Sequence, residues 1–284
     1  MIPRMATLAS DRVAPGAGGS VPAGPRYEIL PFGKGPEQAA GLETPLHLTI
    51  TTSPKHGVDR SVDVALRVRE AGHTVTLHLA ARMVRGEDHL TEILERTRGA
   101  GIDDLFVIGG DAPEPLGPYS AAGELLDVLV DHPLRPSLIG IGAYPEGHPL
   151  IAPDVLEAAL VEKAGVADYL VTQLCFDTKA LLAWLDGVRA QGIDLPLYLG
   201  AVGPIERVRL LEIATRIGVG PSLRYLRKQR GITQLFRNPA NSARRFFDQL
   251  HPRVGELGIV GFHLFTFNDL TGTHAWYEER AAGA

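Results

Sequence analysis

Eight short apolar runs, each followed by a stretch with helical spacing, constrain this chain more than any other feature. The runs are YEILPF (27–32), LHLTIT (46–51), TVTLHLA (74–80), DLFVIGG (104–110), SLIGIGAYP (137–145), YLVTQLCF (169–176), PLYLGAV (196–202) and GIVGFHLFTF (258–267). Several are nearly continuous in β-formers, the pattern of strands covered on both faces. Between them, DRSVDVALRVREAG places Val62, Ala65, Leu66 and Val68 on or near one stripe and stops at Gly72. EDHLTEILERTRGAG does the same and stops at Gly99 and Gly101. Further helices are expected over 121–131, 153–165, 178–192 and 204–218, two more within 219–257, and a last short one around THAWYEER.

Eight strands alternating with helices over about 250 residues predict an α/β chain, a single-domain (β/α)8 TIM barrel spanning residues 26–284. A doubly wound open sheet shares the alternation, but it would want a glycine fingerprint after the first strand, and PFGKGPEQAAG is a poor match. Residues 1–25, rich in Gly, Pro and Ala, read as a flexible tail. They lack the apolar core of a secretory signal, and no stretch approaches the ~20 apolar residues of a membrane span, so a cytoplasmic protein is expected. A net charge of −5 argues against general nucleic-acid binding. The single cysteine, Cys175, excludes an internal disulfide and reads as a packed thiol.

Chemistry in such barrels gathers at the carboxyl ends of the strands. There the sequence offers Glu28, Thr49, Thr51, His78, Asp111, Tyr144, Glu146, His148, Thr172, Gln173, His263, Thr266 and Asn268. A carboxylate inside an apolar strand is costly unless paired or neutral. Glu28 is therefore either a structural acid paired with a cation or a general acid whose proton affinity is raised by apolar surroundings. His78 and Gln173 have plain readings as a satisfied core histidine and a strand-tying amide, and Asp111 as a turn cap. Nucleophile elbow, Walker loop and metal-spaced histidine pair are all missing from the sequence, and no metal is expected. The set suits proton donation and stabilisation of a cation better than acyl or phosphoryl transfer.

These residues resemble the methylenetetrahydrofolate reductase family. YEILPF is similar to its Phe-Glu-Phe strand followed by Pro, LHLAA to its third-strand His-Leu motif, and GGDAPEPLGPY to its Gly-Asp-x-Pro loop leading to a tyrosine. AYPEGHP resembles Ala-Tyr-Pro-Glu-x-His-Pro, DYLVTQLCFD the Ile-Thr-Gln strand, and GFHLFTFN the final Phe-His strand, all in the family's order. The resemblance implies a (β/α)8 barrel that reduces 5,10-methylenetetrahydrofolate to 5-methyltetrahydrofolate with NADH or NADPH, usually through FAD. It makes Glu28 the general acid that opens the imidazolidine ring and Asp111 the stabiliser of the 5-iminium cation. It assigns Gln173, Tyr144 and Thr51 to the reduced folate and His78, Gly110, Tyr119, Ala143 and His148 to cofactor contacts. Two readings outside this reaction are another tetrahydrofolate-dependent or folate-degrading enzyme and a folate-binding barrel without catalysis.

The chain departs from the family where the flavin is held. The position commonly occupied by a flavin-binding arginine is Gly109, and the two lysine positions of a Leu-Lys-x-Lys helix are Leu160 and Glu162. A carboxylate beside a diphosphate repels it, so FAD binding is expected to be weak or missing, with direct hydride transfer from NADH. Residues 213–247 carry no Asp or Glu but hold Arg216, Arg224, Arg227, Lys228, Arg230, Arg237, Arg244 and Arg245. This stretch reads either as a solvated helix face or as a landing surface for folate glutamates or nucleotide phosphates.

Overall fold

The computed structural model describes residues 20–148, 150–203 and 239–283. Its parallel strands are β1 (Arg26–Ile29), β2 (His47–Ile50), β3 (Thr74–Ala80), β4 (Asp104–Ile108), β5 (Leu138–Ala143), β6 (Tyr169–Thr172), β7 (Leu197–Val202) and β8 (Ile259–Phe265). They close in chain order into an eight-stranded barrel, with Glu28 of β1 opposite Phe265 of β8. That closure excludes the open sheet. The described helices are α1 (Lys34–Ala40), α2 (Gly57–Glu70), α3 (Glu87–Gly99), α4 (Ala122–Val130), α5 (Pro153–Ala164), α6 (Thr178–Ala190), α7 (Pro239–Leu250) and α8 (Leu270–Ala282).

All strands but β3 are shorter than their apolar runs because the runs continue into the loops. DLFVIGG leaves the ladder at Ile108, and Gly110 turns the chain at φ 88°, which a side chain would resist. Helix α1 was not expected from PFGKGPEQAAG; its glycines and proline hide it, and it follows a left-handed Gly33. Helix α7 stops at Leu250, where Pro252 opens a short 3-10 turn over His251–Arg253. The helices expected over 204–218 and in PSLRYLRKQRG lie outside the described residues.

Strand side chains alternate between the helices and the barrel interior. Ile29, Leu48, Ile50, Leu77, Leu79, Leu105 and Val107 are fully buried in the apolar core. Tyr27 also faces outward, its hydroxyl hydrogen-bonded to His274 of α8 at 3.0 Å. The interior is polar. At its amino-terminal end the Arg26 guanidinium pairs with Asp104 at 3.1 Å and lies 4.3 and 4.0 Å from the ring centres of Tyr169 and Tyr198. Asp104 also accepts from Tyr169 (2.6 Å) and Thr76 (2.8 Å). Thr76 has then spent its only proton, so His47 must donate its Nε2–H to the Thr76 hydroxyl at 2.8 Å.

Residues 20–25, placed in the tail by their composition, cover this end of the barrel. Gly24 donates its N–H to the Val260 carbonyl at 2.9 Å, the Tyr198 hydroxyl donates to the Pro22 carbonyl, and Val21 packs against the cluster of Phe106, Leu138, Tyr169, Val171 and Tyr198. A Cβ on Gly261 would collide with the Gly24 backbone, so glycine at 261 is what lets this segment approach. Composition hid the docking because the contacts are made mainly by backbone groups.

Candidate active site

At the opposite, carboxyl end the polar side chains fall into two groups. The first is inside the barrel. Glu28 projects inward from β1 with its side chain 16% exposed, and its Oε2 lies 3.2 Å from Nε2 of His263 and 3.9 Å from Nε2 of His78. Its backbone carbonyl accepts from the Thr266 hydroxyl at 2.6 Å, which fixes the strand beneath it. His78 and His263 are buried and stacked, ring centres 5.9 Å apart, and Phe106 packs edge-on against His78 at 4.8 Å. Burial first, then His263 and Arg26, hold His78 well below the usual imidazole range, so it is neutral.

Glu28 is thus not enclosed in apolar walls; two imidazoles flank it. Chain spacing conceals the group, since residues 28, 78 and 263 come from three strands. Their ligand atoms lie within 4.8 Å of one another, a donor set that a divalent ion can use. Histidines that ligate metals normally donate their other ring N–H to a partner, whereas Nδ1 of His263 is buried with none. The geometry favours a held carboxyl group over a metal centre.

The second group is formed by the loops. Asp111 is exposed after the β4 turn. Burial and then the Asp111 carboxylate push the Tyr144 hydroxyl up; burial lowers His148, and Asp111 acts against that. The rings of Tyr144 and His148 meet edge-on at 5.3 Å. Ala143 accepts from the Gln173 N–H at 2.8 Å, so these two predicted residues are joined through backbone. The Gln173 side chain is exposed and its Oε1 accepts from the Leu174 N–H, not from a neighbouring strand's side chain. Gly110 lies against Ala80, where a Cβ would come within 2.9 Å of the alanine methyl.

Two anchors hold these loops. Arg82 donates to the carbonyls of Ala112 and Pro113 (each 2.6 Å) and Ser120 (3.1 Å), clamping the loop that bears Asp111. Glu146 accepts from the N–H groups of Phe176 (2.6 Å) and Asp177 (2.9 Å), tying the β5 loop to the β6 loop. Tyr119 and Thr51 complete the predicted set. Tyr119 is buried in the core beside Glu87 of α3, and burial raises its hydroxyl. Thr51 sits at the β2–α2 junction, its carbonyl accepting from Ser61 at 2.9 Å. His263 is among the strand-end polar residues, with no role legible in the sequence; its inward register opposite Arg26 is what places it beside Glu28.

A model of the family described as methylenetetrahydrofolate reductase matches residues 37–222. The chain belongs to the methylenetetrahydrofolate reductase family. Glu28 and His263 lie outside the matched stretch, and the closed barrel brings them to its mouth. Methylenetetrahydrofolate reductase 1 of Schizosaccharomyces pombe is 31% identical over 124 residues, covering 40% of this chain and 20% of that protein. Methylenetetrahydrofolate reductase 2 of Saccharomyces cerevisiae is 25% identical over 175 residues, covering 58% of this chain and 24% of that one. The matched stretches therefore span a quarter or less of these relatives. An uncharacterized Clostridium thermocellum protein that binds two copies of 5-methyl-5,6,7,8-tetrahydrofolic acid has the same fold, with a TM-score of 0.60, 13% identity and coverage of 93% of this chain and 96% of that one.

Methylenetetrahydrofolate reductases usually hold FAD, and among the described residues Gly109 and Glu162 do not fit its diphosphate. A Cβ at Gly109 would meet nothing within 4 Å among the described residues, so space exists there for a side chain. The Glu162 carboxylate on α5 reaches within 3.2 Å of the Cβ position of Gly123 on α4, putting negative charge between these helices. Lys163 is held by burial below the usual lysine range. Arg82 directs its donors to loop carbonyls.

Proposed function

We propose that this chain reduces 5,10-methylenetetrahydrofolate to 5-methyltetrahydrofolate with NADH or NADPH, without an intervening flavin. The observation that carries the reading is Glu28, a nearly buried carboxyl group held at the barrel mouth by His263 in a chain of this family. Protonated, Glu28 gives its proton to the nitrogen that leaves as the imidazolidine ring opens. The product of that step is a 5-iminium cation, and the Asp111 carboxylate stabilises it from the clamped loop. Hydride from the dihydronicotinamide then reaches the methylene carbon, giving the methyl group and the oxidised nucleotide. One proton and one hydride are consumed, so the step balances without further electron carriers.

Gln173 hydrogen-bonds the folate in this scheme, with Tyr144 and Thr51 contributing to its binding. His148, Ala143, Gly110 and Tyr119, which the family resemblance assigns to the cofactor, remain as wall and loop contacts. Support for a folate ligand comes from the folate-binding relative of the same fold. Support for flavin-free transfer comes from Gly109 and Glu162.

An absorbance spectrum of the freshly purified protein, followed by addition of NADH and methylenetetrahydrofolate, tests both parts. We expect no visible flavin band and a folate-dependent loss of the NADH absorbance. A stoichiometric flavin band that bleaches with NADH and returns with folate overturns the flavin-free part. Absence of NADH consumption with either nucleotide overturns the reaction.

A further inference from the structure

The acid role of Glu28 leaves a question of which carboxyl oxygen carries the proton. His263 answers it. Its Nε2 faces Oε2 of Glu28 at 3.2 Å, while its Nδ1 is buried without a partner. An imidazolium carries a proton on both nitrogens and donates from Nε2 in any case, whereas a neutral imidazole carries one N–H. Placing it on Nδ1 would strand a buried donor, which is worse tolerated than an unsatisfied acceptor lone pair. The proton therefore sits on Nε2 and is donated to Oε2. His78 adds nothing that competes: it is neutral, its Nε2 is 3.9 Å from the same oxygen, and that nitrogen is also buried without a partner.

We infer that His263 is a positioning residue that occupies Oε2 of Glu28 as a hydrogen-bond donor, so that the transferable proton is carried by Oε1. This rests on the reading of Glu28 as the acid. Two consequences separate it from a packing role. The donor steadies the carboxyl group for transfer, and it favours the ionised carboxylate, so removing it makes Glu28 hold its proton to higher pH. Around this carboxyl group stand His78 of β3, His263 of β8 and Thr49 of β2, with His47 of β2 one layer down beside Thr76 and Asp104. One layer down lie Arg26 of β1 with Asp104 of β4, Tyr169 of β6 and Tyr198 of β7, and at the mouth are Asp111 and Tyr144. Arg26 and Asp104 balance each other, which leaves His263 as the direct donor to Oε2.

His263→Leu removes the donor; His263→Gln replaces it with an amide N–H of similar reach. For His263→Leu we expect kcat to fall about 10- to 100-fold with KM for the folate changed less than about 3-fold. The alkaline limb of its pH profile moves up by about one unit. His263→Gln recovers most of the rate and returns the limb to the parental position. Equal impairment in both variants, or an unmoved limb in His263→Leu, overturns the inference. Glu28→Gln, run in parallel, distinguishes the two levels: full activity there sinks the acid reading and this one together, whereas an inactive Glu28→Gln beside a parental His263→Leu sinks this one alone. Nitrogen NMR of the imidazoles gives a readout independent of turnover. A neutral ring protonated at Nε2 of His263 supports the inference, and one protonated at Nδ1 contradicts it.

Discussion

The two ends of this barrel interior are built from the same strands, two residues apart, and they handle buried polarity in opposite ways. At the amino-terminal end Arg26, Asp104, Thr76, His47, Tyr169 and Tyr198 form a network in which both oxygens of Asp104 are bonded and the guanidinium is flanked by two aromatic rings. Burial opposes the charge on Arg26, but Tyr169, Asp104 and Tyr198 outweigh it and raise its proton affinity. At the carboxyl end Oε2 of Glu28 has one histidine nitrogen within hydrogen-bond distance, and Nε2 of a second histidine is buried without a partner. A carboxylate bonded through both oxygens specifies and holds structure; one at the mouth with spare hydrogen-bonding capacity is available for a ligand. The same pleat that places Arg26 inward also places Glu28 inward, so the scaffold and the chemistry are set by one strand register.

Substitutions at the two ends should therefore fail differently. Glu28→Gln removes the acid with almost no change of volume, and we expect turnover to drop about 100- to 10,000-fold. Its urea unfolding midpoint should stay close to the parent's. Asp104→Ala leaves Arg26 buried without its counter-ion and should cost about 3–5 kcal/mol of folding stability, read from the same urea titration. If Asp104→Ala unfolds like the parent, or Glu28→Gln loses stability on that scale, the division between the two ends is wrong.

A smaller effect comes from pH. Burial first, then Arg26 and His263, push His47 down to about 3 from an ordinary 6.5. Above pH 6.5 neither the folded nor the unfolded chain binds this proton. Below it the unfolded chain does and the folded chain does not until about pH 3, so stability falls as pH falls through that window. The slope is about 1.4 kcal/mol per pH unit for one histidine, and neutral buried His78 contributes in the same direction. His47→Gln should flatten the dependence of unfolding free energy on pH, while Glu28→Gln should leave the His47 contribution in place. An unchanged slope in His47→Gln would show that the lower layer does not hold its histidine neutral.

The barrel was legible because hydrophobic runs and glycine stops are local signals, and every one of the eight runs overlaps a strand. Helix α1 and the docking of residues 20–25 were not legible. In both, glycine and proline interrupt the pattern, and the stabilising contacts come from residues distant in the chain: Val260 and Tyr198 for residues 20–25, and Leu270 and Thr271 for Gln38 of α1. Within the site, Glu28 and Asp111 stood out as carboxylates at apolar strand ends. The meeting of Glu28, His78 and His263 depends on barrel closure between β1 and β8, which no sequence spacing expresses. The Arg82 clamp was hidden for a similar reason, since its partners are carbonyl oxygens that carry no side-chain signature. In the arginine-rich stretch, Arg244 is exposed and pairs with Asp248 at 3.6 Å, and Arg245 is exposed; its other basic residues lie outside the described residues.

The central claim is that hydride passes from the nicotinamide to a folate cation prepared by Glu28, with no carrier between them. Deuterium at the transferable position of NADH tests it most directly, with the product's methyl group analysed by mass spectrometry. Direct transfer predicts one deuterium retained in the methyl group of 5-methyltetrahydrofolate. Loss of the label to water, as expected when hydride rests on an exchangeable flavin nitrogen before moving on, would contradict the account.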